Sequence, residues 1–268
     1  MTDTSTTPPA TDYDADLSLA LRLADAADAI SASRFRANDL HIETKPDRTH
    51  VTDADRAVEQ AVRDILAAER PDDAVLGEEF GEAGDSSRRW IIDPIDGTHN
   101  FERGVPLWGT LIALAVDSEV VVGVASMPAI RQRWWAIKDG GAWTTADGGT
   151  ARRLHVSGIA DLADASISFQ SIEQWDEAGY LQRLIDLTRS VWRDRGYGDL
   201  WPYTLVAEGL LEAVGEFGVK QYDVAPLSLL VTEAGGRFSA VTGESGYWHG
   251  SSLATNGLLH DEIVARLR

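Results

Sequence analysis

The segment Trp90-Ile91-Ile92-Asp93-Pro94-Ile95-Asp96-Gly97-Thr98 holds the residue types best suited to chemistry. An apolar run of strand character delivers Asp93 at its end. Pro94 then turns the chain, so that Asp96 comes back to face the same point. Two carboxylates on one bend repel each other unless a cation sits between them. Gly97 supplies a permissive backbone position and Thr98 a hydroxyl, and N–H groups at the turn or helix start that follows would hold an anion. Metal and phosphate sites side by side are what phosphoryl hydrolysis requires.

A lone D-x-x-D is also the composition of an ordinary acidic surface turn. Further carboxylates strengthen the chemical reading. Glu78 ends the short apolar run Ala74-Val75-Leu76, and Asp223 opens the Val224-Ala225-Pro226 helix, both at element termini where layered α/β folds keep functional groups. Asp55, in Val-Thr-Asp-Ala-Asp, is a fifth candidate. Hard oxygen donors without His or Cys select Mg²⁺ or Mn²⁺ over zinc. The chain has no Walker-type glycine loop and no kinase signature, so water is the expected phosphoryl acceptor.

The elements that must position these groups can be read from periodicity. Leu17, Ala20, Leu21, Ala24, Ala27, Ile30 and Phe35 predict a long amphipathic helix, and Ala54, Val58, Ala61, Val62, Ile65 and Leu66 a second, entered through Thr52 or Asp53 and ended before Pro71. Lys45-Pro46-Asp47-Arg48-Thr49 reads as a turn between them. Ala74–Leu76 and Trp90–Ile92 read as buried strands, the second stopping at Asp93-Pro94. Leu107–Val116, Val120–Met127 and Arg133–Ile137 read as an antiparallel meander. The second half alternates: strand 165–169, helix 180–188, helix 204–210, strand 212–217, helix 225–234, strand 237–240 and helix 261–267. Residues 1–16 read as a disordered tail without the features of a secretory signal. Residues 17–268 read as one layered α/β domain with halves of about 17–154 and 155–268.

Composition fits this picture. Of 268 residues 44% are hydrophobic and 25% charged, and Lys+Arg 24 against Asp+Glu 43 leaves a formal net charge of −19. Such a surface repels phosphate backbones and anionic lipids, which disfavours nucleic acid and membranes as partners and leaves metal ions and amine-bearing substrates open. The absence of cysteine excludes disulfides, thiolate metal sites and thiol nucleophiles and fits a cytoplasmic protein. No run reaches the roughly 18 apolar residues of a membrane span.

Gly77-Glu78-Glu79, Trp90–Thr98, and Tyr222-Asp223-Val224-Ala225 followed by Glu233-Ala234-Gly235-Gly236 resemble, in order, the three signatures of the inositol monophosphatase family. The resemblance runs from Leu17 to the C-terminus. It implies an α-β-α-β-α sandwich, dependence on two or three Mg²⁺ ions, a homodimer, and hydrolysis of a small phosphate monoester. It also implies that Glu78, Asp93, the Ile95 carbonyl, Asp96 and Asp223 bind metal and that Asp55 reaches a further ion through water. Glu78 and Thr98 would orient the attacking water, the Gly97-Thr98 backbone would hold phosphate, and Lys45 and Asp47 would lie on a mobile loop that completes the site. Lys45-Pro46-Asp47, 51–59, Arg133–Ala136, Tyr197–Asp199 and 254–262 are most similar to the actinobacterial histidinol-phosphate phosphatases of that family. His99 departs from that branch, where lysine is usual.

Histidinol phosphate carries an ammonium and an imidazole, so its pocket needs acids and aromatics, whereas inositol phosphate offers hydroxyls. Asp199 suits an amine, although it also reads as an N-cap before Trp201-Pro202. Glu216 and Arg195 match positions near the substrate's organic part, and Trp201 and Tyr203 would add stacking surface. Trp134 and Trp135 read as core. Glu79, Glu82 and Asp53 read as solvated or capping residues, and His41, His50, His155, His249 and His260 as structural or exposed. The rival readings are an inositol monophosphatase and, from another class, a non-catalytic acidic binding protein.

Overall fold

The computed structural model describes residues 13–45 and 49–268. In chain order these form α1 (Asp14–Arg34), β1 (Ile42–Thr44), β2 (His50–Thr52), α2 (Asp53–Glu69), β3 (Ala74–Gly77), β4 (Gly81–Ala83), β5 (Arg88–Asp96), α3 (Thr98–Arg103), β6 (Gly109–Val116), β7 (Glu119–Met127), β8 (Gln132–Ile137), β9 (Gly141–Ala146) and β10 (Arg152–Arg153). There follow β11 (Ser166–Phe169), α4 (Ile172–Glu177), α5 (Leu181–Thr188), β12 (Arg193–Arg195), α6 (Trp201–Ala207), β13 (Ala213–Phe217), α7 (Gln221–Glu233), β14 (Arg237–Ser239), β15 (Ser251–Thr255) and α8 (His260–Leu267).

Eight strands form one sheet in the order β10-β9-β8-β7-β6-β5-β3-β4, and five form a second in the order β12-β11-β13-β15-β14. Helices α1 and α2 cover one face of the large sheet, with Leu23, Val58 and Val62 packed on Trp90, Ile112 and Val124. Helices α6 and α7 lie between the sheets, where Tyr203, Leu227 and Val231 meet Ile91, Leu111 and Ala125 from one side and Val214 and Ala254 from the other. Helices α4, α5 and α8 close the far face, around Trp175, Leu184 and Ile263. The α-β-α-β-α layering expected of the chain is therefore present. Among the described residues no helix is long and apolar enough to cross a membrane.

Three local expectations change. Helix α1 starts at Asp14, so the helix takes in part of the stretch read as a tail, while residues 1–12 lie outside the described residues. The helix read at 204–210 begins instead at Trp201, because Pro202 fits a first helical turn that needs no N–H from it, and it ends by Ala207 ahead of Gly209. Strand β5 does not stop at Asp93. It continues through Pro94 and Ile95 to Asp96 with an irregularity, since Asp93 pairs with Leu111 but Asp96 with Gly109. One extra residue on β5 makes a β-bulge, which is how a strand accommodates proline and re-aims its side chains. The Pro94 carbonyl accepts from the buried Thr110 hydroxyl at 2.8 Å, which fixes the bulge.

Candidate active site

The bulge turns Asp93 and Asp96 toward the first turn of α7, where Asp223 stands. One carboxylate oxygen from each of these three residues lies within 4.8 Å of the others. Asp96 accepts from the Leu200 N–H at 2.5 Å, and Asp223 from the Lys220 N–H at 2.7 Å. Among the described residues Asp93 Oδ1, which is buried, finds no hydrogen-bond partner. Among the described residues no Lys or Arg pairs with any of the three. Burial and the neighbouring carboxylates hold Asp93 and Asp96 well above the usual carboxylate range and push Asp223 up to about 7. A buried acceptor with no donor among the described residues, in a crowd of carboxylates that no Lys or Arg ion-pairs, is a donor set suited to hard divalent ions.

Three further groups adjoin this centre. Asp55 is part of the N-terminal box of α2: the Thr52 N–H and hydroxyl donate to its Oδ2 at 2.8 and 2.5 Å, and the Ala54 N–H donates to Thr52 Oγ1 at 3.2 Å. Its other oxygen lies 3.3 Å from the Thr98 hydroxyl, which also lies 3.0 Å from the Ile95 carbonyl. Burial raises Asp55 to about 6. Glu78, just past β3, accepts from Lys45 Nζ at 2.9 Å. Glu79 takes the same ammonium at 2.6 Å with its side chain only 5% exposed. That corrects the surface reading of Glu79: Lys45 draws it inward, and burial raises it to about 7. Desolvation opposes the charge on Lys45, but Glu79 and Glu78 outweigh it and hold the ammonium above its ordinary range. Asp47 lies outside the described residues.

On the other side of Asp96 and Asp223 a cavity of about 150 Å³ is lined also by Gln170, Gln174, Asp199, Tyr203 and Glu216. Asp199 accepts from Asn100 Nδ2 at 2.8 Å and Gln170 Nε2 at 2.9 Å, and its own N–H donates to Gln170 Oε1 at 2.7 Å. It makes no cap for α6, whose N-cap residue is Leu200. Glu216 accepts from the Tyr203 hydroxyl at 2.9 Å, while its Oε1 has no partner among the described residues, and burial raises its carboxyl to about 8. Gly97, at φ +83°, joins β5 to α3, and a Cβ there would press on the Leu107 carbonyl and Asp199. His99 is exposed on α3, and its ring lies edge-on to that of His50. Arg195, on edge strand β12, donates to the Asp194 carbonyl at 2.6 Å and does not line the cavity. Trp134 and Trp135 are buried in the core, as expected.

Sequence reading missed Glu59, Asn100 and Gln170. Glu59 is fully buried and accepts from the N–H groups of Glu79 and Phe80 at 2.7 and 3.2 Å and from Arg63 at 2.8 Å, so it braces the turn carrying Glu78. Its spacing matched the core face of α2, and only a buried acid on that face hinted at more.

Fold and centre together define a layered α/β protein organised around a cluster of carboxylates that could hold a metal ion. The inositol monophosphatase family profile matches residues 12–268, and the chain belongs to that family. It is 53% identical over 253 residues to a protein of Mycobacterium tuberculosis named histidinol-phosphatase, covering 94% of this chain and 97% of that one. It is 51% identical over 260 residues to another of that name from Streptomyces coelicolor, covering 96% and 98%. The solved inositol monophosphatase of Zymomonas mobilis superposes with a TM-score of 0.83 at 31% identity over 96% of this chain and 99% of that one.

Proposed function

We propose that the chain is a Mg²⁺-dependent phosphatase that hydrolyses L-histidinol phosphate to histidinol and phosphate. The carrying observation is that Asp96 and Asp223 belong both to the carboxylate centre and to the acid-lined cavity beside it. A substrate with an anionic phosphate at one end and a cationic amine at the other fits that pair of neighbours, and the two histidinol-phosphatase relatives agree with it.

In this reading Asp93, Asp96, Asp223, Glu78 and the Ile95 carbonyl hold the ions, with Asp55 reaching one through water. Bound divalent ions would neutralise phosphoryl and leaving-group charge and lower the pKa of a coordinated water. Glu78 and the Thr98 hydroxyl orient that water. Thr98 has one proton for two acceptors, Ile95 O and Asp55 Oδ1; donation to one leaves its lone pairs free to accept from the water. The first-turn N–H groups after Gly97 hold the phosphate. Asp199, oriented by Asn100 and Gln170, and Glu216 Oε1 accept from the ammonium or imidazole, while His99 borders the organic end; Arg195, away from the cavity, has no part in it. Lys45 and Asp47 belong to the loop that completes the site. A homodimer in the cytoplasm belongs to the same reading and rests on the family resemblance.

Phosphate release from histidinol phosphate, inositol 1-phosphate, fructose 1,6-bisphosphate and adenosine 3′,5′-bisphosphate tests the substrate. Histidinol phosphate is expected to have the highest kcat/KM, and far better turnover of inositol 1-phosphate would overturn the assignment. Asp199→Thr should lower kcat/KM for histidinol phosphate about 10- to 100-fold, the worth of a hydrogen bond to a charged group, and change inositol phosphate turnover little.

A further inference from the structure

A second donor cluster lies on α3, outside the carboxylate centre. His99 and Glu102 are three residues apart on this helix and so share a face. His50, the first residue of β2, faces them across a ring-centroid distance of 4.9 Å between the two imidazoles. His50 Nδ1 lies 2.7 Å from Glu102 Oε2 and His99 Nδ1 3.5 Å from Glu102 Oε1. His50 reads from sequence as structural or exposed and His99 as a substrate-side residue; the fold brings them together by joining a strand start to a helix far along the chain. One ligand atom from each of the three residues lies within 4.8 Å of the other two.

The burial profile suits an ion that enters from solvent. The Glu102 carboxylate is 9% exposed, His50 is 32% exposed and His99 68%. Among the described residues the other cation near Glu102 is Arg103, 3.9 Å away with its own side chain 81% exposed. The donor chemistry differs from that of the carboxylate centre. Two imidazoles and one carboxylate, with solvent on the open side, form the three-ligand set of a tetrahedral zinc site with a water in the fourth position. Imidazole donors favour Zn²⁺, Ni²⁺ and Cu²⁺ over Mg²⁺.

We infer that His50, His99 and Glu102 form a binding site for a borderline-soft divalent ion, with Zn²⁺ as the fitting species, separate from the Mg²⁺ centre. Such an ion ties the start of α3 to β2, next to Thr98. The inference does not depend on which phosphate ester the protein hydrolyses.

The test is Zn²⁺ titration of the full chain by calorimetry, with Mg²⁺ in large excess to occupy the carboxylate centre. One Zn²⁺ equivalent should bind the unmodified chain. Affinity should fall at least about tenfold in His50→Ala and in His99→Ala, since losing even an outer-shell partner of a metal ligand costs 10- to 100-fold. His41→Ala should leave it unchanged, because that ring pairs with Glu43 at the surface. Imidazole NMR of the unmodified chain gives a reading independent of variant folding. Of the six histidines, His50 and His99 should respond first to Zn²⁺. Equal affinity in His50→Ala and the unmodified chain, first response at another histidine, or no binding beyond that of Mg²⁺ would overturn the site and leave a plain hydrogen-bonded His-Glu-His group.

Discussion

Asp55 illustrates how one side chain serves folding and chemistry with its two oxygens. Oδ2 closes the N-terminal box of α2 through Thr52, and Oδ1 faces the Thr98 hydroxyl. The two roles separate in Asp55→Asn, because an amide oxygen can still accept from Thr52 while the charge is gone. Stability should fall by less than about 1 kcal/mol, on the scale of cap substitutions, whereas metal-dependent phosphate release should fall more than about tenfold. Denaturation midpoints and initial rates on the same preparation decide between the roles, and an unchanged rate would remove Asp55 from the site. Asp93 has no such second duty. Its buried Oδ1 has no donor among the described residues, so Asp93→Asn should reduce turnover by at least about 10²-fold while relieving carboxylate repulsion. The metal-free variant should then melt no lower than the unmodified chain.

At the scale of elements, the site depends on where strands are interrupted. The β5 bulge turns two carboxylates toward α7, and Glu59 on α2 braces the chain past β3 so that Glu78 points into the same space. Gly77 is required there, because a Cβ would strike the Glu59 carboxyl group, which three hydrogen bonds hold in place. Gly77→Ala should cost about 1–3 kcal/mol as an overpacked site and lower the melting temperature by about 2–4 °C per kcal/mol. Turnover should drop as well, since Glu78 moves with the turn. The carboxylates themselves were legible in the sequence because each closes an apolar run or opens a helix. The apolar meander and α2 were legible because one face of each is continuous. Strands β1, β12 and β15 carry too few apolar residues to signal themselves, as Arg193-Asp194-Arg195 shows; neighbouring strands impose their conformation. Asn100 and Gln170 were invisible because their partner Asp199 is distant in sequence and meets them only through the fold, and Glu59 was masked by its place on the core face of α2.

For the molecule as a whole, the excess of 43 acids over 24 bases is felt most where the acids are buried. In metal-free protein Asp55, Asp223, Glu79 and Glu216 titrate near 6, 7, 7 and 8, each raised first by burial, whereas unfolded carboxylates titrate near 4. Between these values the native state holds more protons than the unfolded one, so stability is lost as pH rises through the native values. His260 acts in the opposite sense. Buried between Ser239 and Thr255 and lowered to about 4, it disfavours the native state as pH falls below 6.5. Above pH 6.5 that contribution fades, and the raised carboxylates outweigh it. The melting temperature in chelator should therefore fall from about pH 6.5 to about pH 8.5, and Asp223→Asn should flatten the fall. Mg²⁺ binds the deprotonated set, so the rise in melting temperature that it produces should grow over the same interval. A Mg²⁺ shift independent of pH would mean that the buried carboxylates are not where the ion binds.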